Sequence, residues 1–207
     1  ALIGLAGVAM IVVTLLSISA GAGADEGVPG GSVAVPTEVA INANADTYVD
    51  SGKPDTNFGG AANLYVSLYG SPANIQQTLA QFSLTAIPAG ATIDSARFEL
   101  YLDSASGLTV VNLGLGRNLG LWKENEIVFS GRPGCPPTGA STNVGAANGW
   151  YGWDATALVA QWVQGSLPNY GVCVTGPGSG SLYVRRFTSR EGGIAPRLIV
   201  KYYPATP

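Results

Sequence analysis

From Asp94 to Asp103 the chain reads Asp-Ser-Ala-Arg-Phe-Glu-Leu-Tyr-Leu-Asp, and it alternates without a break. Ala96, Phe98, Leu100 and Leu102 fall on one side of an extended chain, and Arg97, Glu99, Tyr101 and Asp103 on the other. Helical periodicity would scatter both sets around the axis, so the segment is suited to a pleated strand with one buried face. Shorter stretches repeat the pattern: Ala80, Phe82 and Leu84 alternate with Gln81 and Ser83. Further strand candidates are Thr37–Ile41, Asn63–Tyr69, Leu108–Gly116, Tyr170–Thr175, Leu182–Thr188 and Arg197–Tyr203. Turn clusters such as Ser51-Gly-Lys-Pro-Asp55, Pro88-Ala-Gly90 and Gly176-Pro-Gly-Ser-Gly180 separate them. The chain's 29 glycines and 13 prolines, about a fifth of its 207 residues, fit many short strands joined by turns. One segment of this region reads as a helix, Ala155 to Gln164, with Leu158, Val159 and Trp162 on one face, Asp154 as cap and Gly165 as stop. The expected class is mainly β, a jelly-roll-like β-sandwich with one short helix.

The N-terminal 24 residues differ in kind. They contain no charged side chain, and Ala1 to Ala20 is apolar on every face. As a helix of 20–24 residues it would reach about 30–36 Å, the thickness of a bilayer core, and a helix apolar all round has to be buried in lipid or in other helices. The expected organisation is therefore an apolar transmembrane or filament-core helix over 1–24, a Gly/Pro linker over 25–36 and a β-sandwich domain over 37–207. The helix resembles that of a processed pilin, whose subunits bundle such helices into a filament core. Leu2, Ile3, Leu5, Val8, Ile11, Val12, Leu15 and Leu16 would then form the assembly surface, in contact with copies of the same chain, after residence in the membrane. Many type IV pilins carry glutamate at the fifth position, where this chain has Leu5. A single-span anchor and a retained secretory signal are the competing readings.

Composition narrows the chemistry. The chain has no histidine, which removes His-based acid–base catalysis and most zinc sites. Its 10 basic and 13 acidic residues give a formal net charge of −3, the reverse of the basic excess expected of a nucleic-acid binder. Carboxylate pairs such as Glu124 with Glu126, or Asp46 with Asp50, could in principle serve a glycosidase. Nothing marks a nucleophile or a proton donor, so an enzyme is not expected.

A series of short motifs runs through the second region in order. Ala45-Asp-Thr-Tyr-Val-Asp-Ser-Gly-Lys-Pro-Asp55 opens it. Gln81-Phe-Ser-Leu84, Ile87-Pro-Ala-Gly-Ala-Thr-Ile-Asp-Ser-Ala-Arg-Phe98 and Leu121-Trp-Lys-Glu124 follow. Arg132-Pro-Gly134, Trp153-Asp-Ala-Thr-Ala-Leu158, Asn169-Tyr-Gly-Val172, Ser189-Arg-Glu191 and Pro196-Arg-Leu-Ile-Val-Lys-Tyr202 complete it. The series resembles the DNRLRE domain family over residues ~40–203. That resemblance implies a secreted or surface β-sandwich, some of whose relatives bind acidic polysaccharides such as alginate. It brings no catalytic residues.

Cys135 and Cys173, the only cysteines, suggest one disulfide in a surface protein. Trp122, Trp150, Tyr151, Trp153 and Trp162 are candidates for sugar stacking. Trp122, Trp153 and Trp162 fit a core role better, which leaves Trp150 and Tyr151 as the glycan-contact pair. Arg185, Arg186, Arg190, Arg197 and Lys201 gather half the basic residues into one stretch, and guanidinium forks suit the carboxylates of a polyuronate. Arg185, Arg186 and Arg190 are the tightest group; the competing reading pairs them with the protein's own acids, such as Glu191 or Glu99. Asp46, Asp50, Asp55 and Asn57 could offer oxygens to calcium, although their spacing does not match an EF-hand loop and turn capping explains them equally. No other cofactor is expected. Two functions stand. The first is a structural subunit of an extracellular pilus-like filament, with the helix in its core and the sandwich outside. The alternative is a membrane-anchored carbohydrate-binding module for acidic polysaccharides. Both place the chain at the cell surface.

Overall fold

The computed structural model describes residues 35–205; the apolar segment 1–24, with its expected assembly surface, lies outside the described residues, as does most of the linker. Eleven strands and one helix follow in order: β1 Thr37–Asn42, β2 Ala45–Asp50, β3 Asn63–Tyr69, β4 Asn74–Gln81, β5 Thr92–Gly107, β6 Val111–Arg117, β7 Pro137–Val144, β8 Gly149–Asp154, α1 Thr156–Val163, β9 Val172–Thr175, β10 Tyr183–Thr188 and β11 Arg197–Tyr203. The fold is mainly β with one short helix, as the alternation requires. Hydrogen bonds join the strands into one curled antiparallel sheet, in the order β1-β11-β5-β10-β3-β4-β9-β6-β7, with β2 added on β4 and β8 on β5. Among the described residues no helix is long and apolar enough to cross a membrane.

The sheet branches at its two best-connected strands. β5, 16 residues long, pairs with β11 along its first half, with β8 through its middle and with β10 towards its end. β4 likewise pairs with β2, β3 and β9. Branching lets the sheet curl over its own inner face. The alternating set Ala96, Phe98, Leu100 and Leu102 is fully buried there, with Leu64, Val66, Leu113, Leu115, Trp153, Phe187 and Leu198. α1 lies against β5 and turns Leu158, Val159 and Trp162 inward. Asp154 stands one residue before the N-cap, Ala155, and accepts a hydrogen bond from the Thr156 N–H at 2.9 Å. The bonds from Thr156 hold the Asp154 carboxyl below the usual carboxylate range.

Strand boundaries depart from the sequence pattern in informative places. β4 ends at Gln81, so Phe82 is buried beyond the strand that was expected to contain it. β6 begins at Val111, leaving Leu108 and Val110 exposed in the preceding turn. β2, β7 and β8 were not foreseen. β7 is a largely exposed strand of small and polar residues, and β2 carries buried Asp46 and Asp50 where apolar side chains would announce a strand.

Cys135 and Cys173 form the expected disulfide, with their Cα atoms 6.2 Å apart. Cys173 lies on β9 and Cys135 in the 118–136 loop between β6 and β7. The bond passes over β6 at Gly116, where a Cβ would stand 2.5 Å from the Cys135 Sγ, so this position has to be glycine. Around it Val49, Leu79, Trp122 and Ile127 form a second small core. The Trp122 indole N–H donates to the Tyr170 carbonyl at 3.0 Å. The disulfide bridges a sequence separation of 38, and a loop of that length is expected to contribute about 3–4 kcal/mol by restricting the unfolded chain. A Cys135→Ala/Cys173→Ala double variant should therefore melt about 10 °C lower in calorimetry while keeping its β-type circular dichroism.

Candidate functional site

Strand pleating decides which side chains face solvent together. Arg97, Glu99 and Tyr101 leave β5 on the side opposite the core. Register places Trp150 of β8 opposite Tyr101, and Gly152 opposite Glu99. On the other edge of β5, Arg197 of β11 lies opposite Glu99, and Ile199 opposite Arg97. Lys201 lies opposite Glu38 of β1, to which it is weakly paired at 3.5 Å. Three strands thus contribute one outward face containing two aromatic rings and three bases.

Glu99 organises that face. Its Oε1 lies 3.1 Å from Arg97 Nε and its Oε2 2.6 Å from Arg197 Nε. The carboxylate is buried although it points away from the core, because the side chains it holds cover it. Both pairs use Nε, and among the described residues the Nη atoms of Arg97 and Arg197 make no hydrogen bond to the protein. One carboxylate between two guanidiniums leaves one net positive charge and two planar donor edges, the geometry that suits bidentate carboxylate recognition. The Arg197 guanidinium also lies 3.7 Å from the Trp150 ring centroid, and Tyr101 meets Trp150 edge-on at 5.5 Å and 79°. These contacts fix the indole before any ligand arrives. Arg97 reaches across β8 only because residue 152 is glycine: a Cβ there would collide with Arg97 Nε. Beside Trp150, Tyr101 and Arg197, which do not line it, an open groove of about 510 Å³ runs over Arg97, Glu99, Gly152 and Lys201, with Glu38 and Asp154 also in its wall, within the size range of small-ligand sites.

The sequence-level candidates fall in different places. Trp150 is on this face. Tyr151, its neighbour, is turned by the pleat towards the core and donates its hydroxyl to the Ala147 carbonyl at 3.0 Å, so the two do not form a pair. Trp122, Trp153 and Trp162 are core residues, as expected. Arg185 is a correction: it is fully buried. Its Nε donates to the Val144 carbonyl at 3.2 Å, Nη1 to the Ser106 and Val184 carbonyls at 3.2 and 3.0 Å, and Nη2 to the Leu108 carbonyl at 2.5 Å. It ties strand β10 to the β5–β6 turn and to the end of β7, and burial lowers its pKa from the usual guanidinium value. Arg186 is bound to Asp103 at 2.9 Å on the outer side of β10. Arg190 is bound to Glu124 at 2.6 Å and Glu191 at 3.0 Å, away from Arg186. The residues missed, Arg97 and Tyr101, were signalled by the β5 alternation itself; without the register of β8 and β11 they had no partners.

The acidic candidates also separate. Both Asp50 oxygens accept from the Tyr69 hydroxyl, and the Gly52 N–H and Gln76 amide complete its shell. Asp55 accepts from the Ser130 hydroxyl, and the Asn57 amide donates to the Glu124 and Ile127 carbonyls. Asp50, Asp55 and Asn57 therefore do not converge with Asp46. Asp46 instead sits beside Glu124 and Glu191, where burial pushes its carboxyl up to about 7.

The model of carbohydrate-binding module family 96 matches residues 37–202. The chain belongs to that family. No curated protein matches the chain. The match covers nearly the span of the motif series, and it speaks for the carbohydrate-binding reading of this module rather than for a filament subunit. Within the module, the arginines divide into structural and presented sets, and that division can be measured. Arg185→Met should lower stability by roughly 3 kcal/mol or more, because four carbonyls lose their donor in the interior. Arg97→Met should cost less, about 1 kcal/mol, because its own head is largely exposed and buried Glu99 keeps its shorter bond to Arg197. Urea denaturation of both variants checks this.

Proposed function

We propose that the chain is a surface carbohydrate-binding module that takes acidic polysaccharides of the uronate class on the outer face of β8, β5 and β11. Family membership carries the carbohydrate reading. The pairing of Arg97 and Arg197 on Glu99 beside Trp150 supports this face and this ligand class. A pyranose ring would lie near the Trp150 and Tyr101 rings, and its carboxylate would meet the Nη edges of Arg97 and Arg197. With a net charge of −3 on the chain, long-range attraction to a polyanion is absent. Binding per module should be weak and salt-sensitive, and display in many copies would strengthen it by avidity.

Cell-surface placement belongs to the same proposal. A disulfide fits an oxidising compartment, and the charge-free segment 1–24 suits a membrane tether. A filament built from that segment would be one way to display many modules; it rests on the sequence of 1–24 alone.

Affinity electrophoresis of the full chain tests the face. Alginate or pectate in the gel should retard the wild type at low salt more than a neutral glucan does. Trp150→Ala, Arg97→Ala and Arg197→Ala should each weaken the retardation about tenfold, while Lys123→Ala, which removes the same charge elsewhere, should leave it unchanged. Equal mobility in acidic and neutral gels would remove the polyuronate from the proposal, and retardation untouched by all three substitutions would remove the face.

A further inference from the structure

Three of the sequence motifs meet away from the glycan face. Asp46 opens β2, Glu124 follows Trp122 in the disulfide-pinned loop, and Glu191 lies in the turn after β10. One carboxylate oxygen from each lies within 4.8 Å of the other two. Asp46 Oδ2 accepts from the Arg190 N–H at 3.0 Å, and the Asp46 N–H donates to Glu124 Oε1 at 2.7 Å. Asp46 is fully buried, yet its Oδ1 has no hydrogen-bond partner. A buried carboxylate oxygen left bare is costly, and native structures rarely tolerate one without a cation or water to meet it.

Among the described residues the base at the cluster is Arg190, and it does not supply what Oδ1 lacks. The Arg190 guanidinium bridges Glu124 and Glu191, with 40% of its side chain exposed. It offers one positive charge to three carboxylates and can swing towards solvent, whereas Asp46 is fixed by the strand. The donor set is oxygen only: the chain has no histidine and both cysteines are in the disulfide. Hard oxygens at this separation, contributed by three segments, suit calcium at 2.3–2.6 Å better than the smaller and stricter magnesium.

We propose that Asp46 Oδ1, Glu124 and Glu191 form a calcium site that ties β2, the 118–136 loop and the β10–β11 turn together. Water completes the shell, and three protein carboxylates with a competing arginine place the affinity in the weak class of extracellular modules, a Kd of about 10⁻⁴–10⁻³ M. The ion would add a clasp to segments already joined by the Asp46–Glu124, Arg190–Asp46 and Arg190–Glu124 contacts, and would stabilise the folded state by mass action.

Calorimetry of the full chain in detergent, first stripped with EDTA, tests this. Adding 10 mM calcium chloride should raise Tm by about 4–8 °C, and magnesium at the same concentration should raise it less. Glu191→Gln, an exposed change, should abolish the calcium shift while leaving the stripped Tm near wild type; Asp46→Asn should abolish it as well. Asp94→Asn, which removes an exposed carboxylate elsewhere, should keep it. Arg190→Ala should keep or enlarge it, because a competing cation is gone. Isothermal titration of the wild type should show one site lost in Glu191→Gln. No calcium shift in the wild type, or an equal shift in Glu191→Gln, would overturn the proposal.

Discussion

The pleat of β5 is the constraint from which the rest of the module follows. Between the register shifts near its two ends, from Ser95 to Leu102, its residues divide strictly between two sides. The inward set, Ala96 to Leu102, forms the centre of the main core. The outward set is left to find partners on β8 and β11, and register alone decides what they are. A shift of one residue would exchange the two sets, placing Phe98 and Leu100 in water and Arg97 and Glu99 in the core. The candidate glycan face therefore comes from the same rule that fixes the hydrophobic core.

Where that rule operates undisturbed, the fold was legible in the chain. β1, β3, β10 and β11 lie within a residue or so of the pattern, and α1 follows from the spacing of Leu158, Val159 and Trp162. Where other interactions compete, the pattern is lost. β2 buries Asp46, Thr47 and Asp50 along with Tyr48 and Val49, and the hydrogen bonds of its two aspartates interrupt the apolar alternation. β7 pairs through its backbone with β6 and presents small residues that carry no periodic signal. The site was legible in part for the same reason. Trp150 could be singled out by type, but its separation from Tyr151 and its meeting with Arg97 and Arg197 depend on strand pairing between positions far apart in sequence. Arg185 was misplaced because clustering of bases suggested a surface, and its partners are carbonyl oxygens, which no sequence pattern displays.

Polar groups in the interior fall into two kinds. Arg185 and Asp50 are surrounded by complementary atoms and act as fixed cross-links between strands. Asp46 has one oxygen satisfied and one bare. Both kinds are equally buried, and Ser67 Oγ and Asn118 Oδ1 are bare as well, so neither burial nor a missing partner alone marks a site; Asp46 differs in standing beside Glu124 and Glu191.

The pairing of β1 with β11 has a mechanical consequence. Thr37 lies opposite Tyr202 and Asn42 opposite Arg197, so six residue pairs join the first strand to the last. Whatever precedes Thr37 pulls on β1, while a polymer held, as proposed, at Arg197 and Arg97 would pull on β11 and β5. When the load runs along the strands, the bonds between them, which stand perpendicular to that direction, are strained together in shear instead of being opened one after another. The chain enters the module on the strand next to the one that bears Arg197, and tension between the entry point and a ligand there has to cross the whole β1–β11 ladder at once.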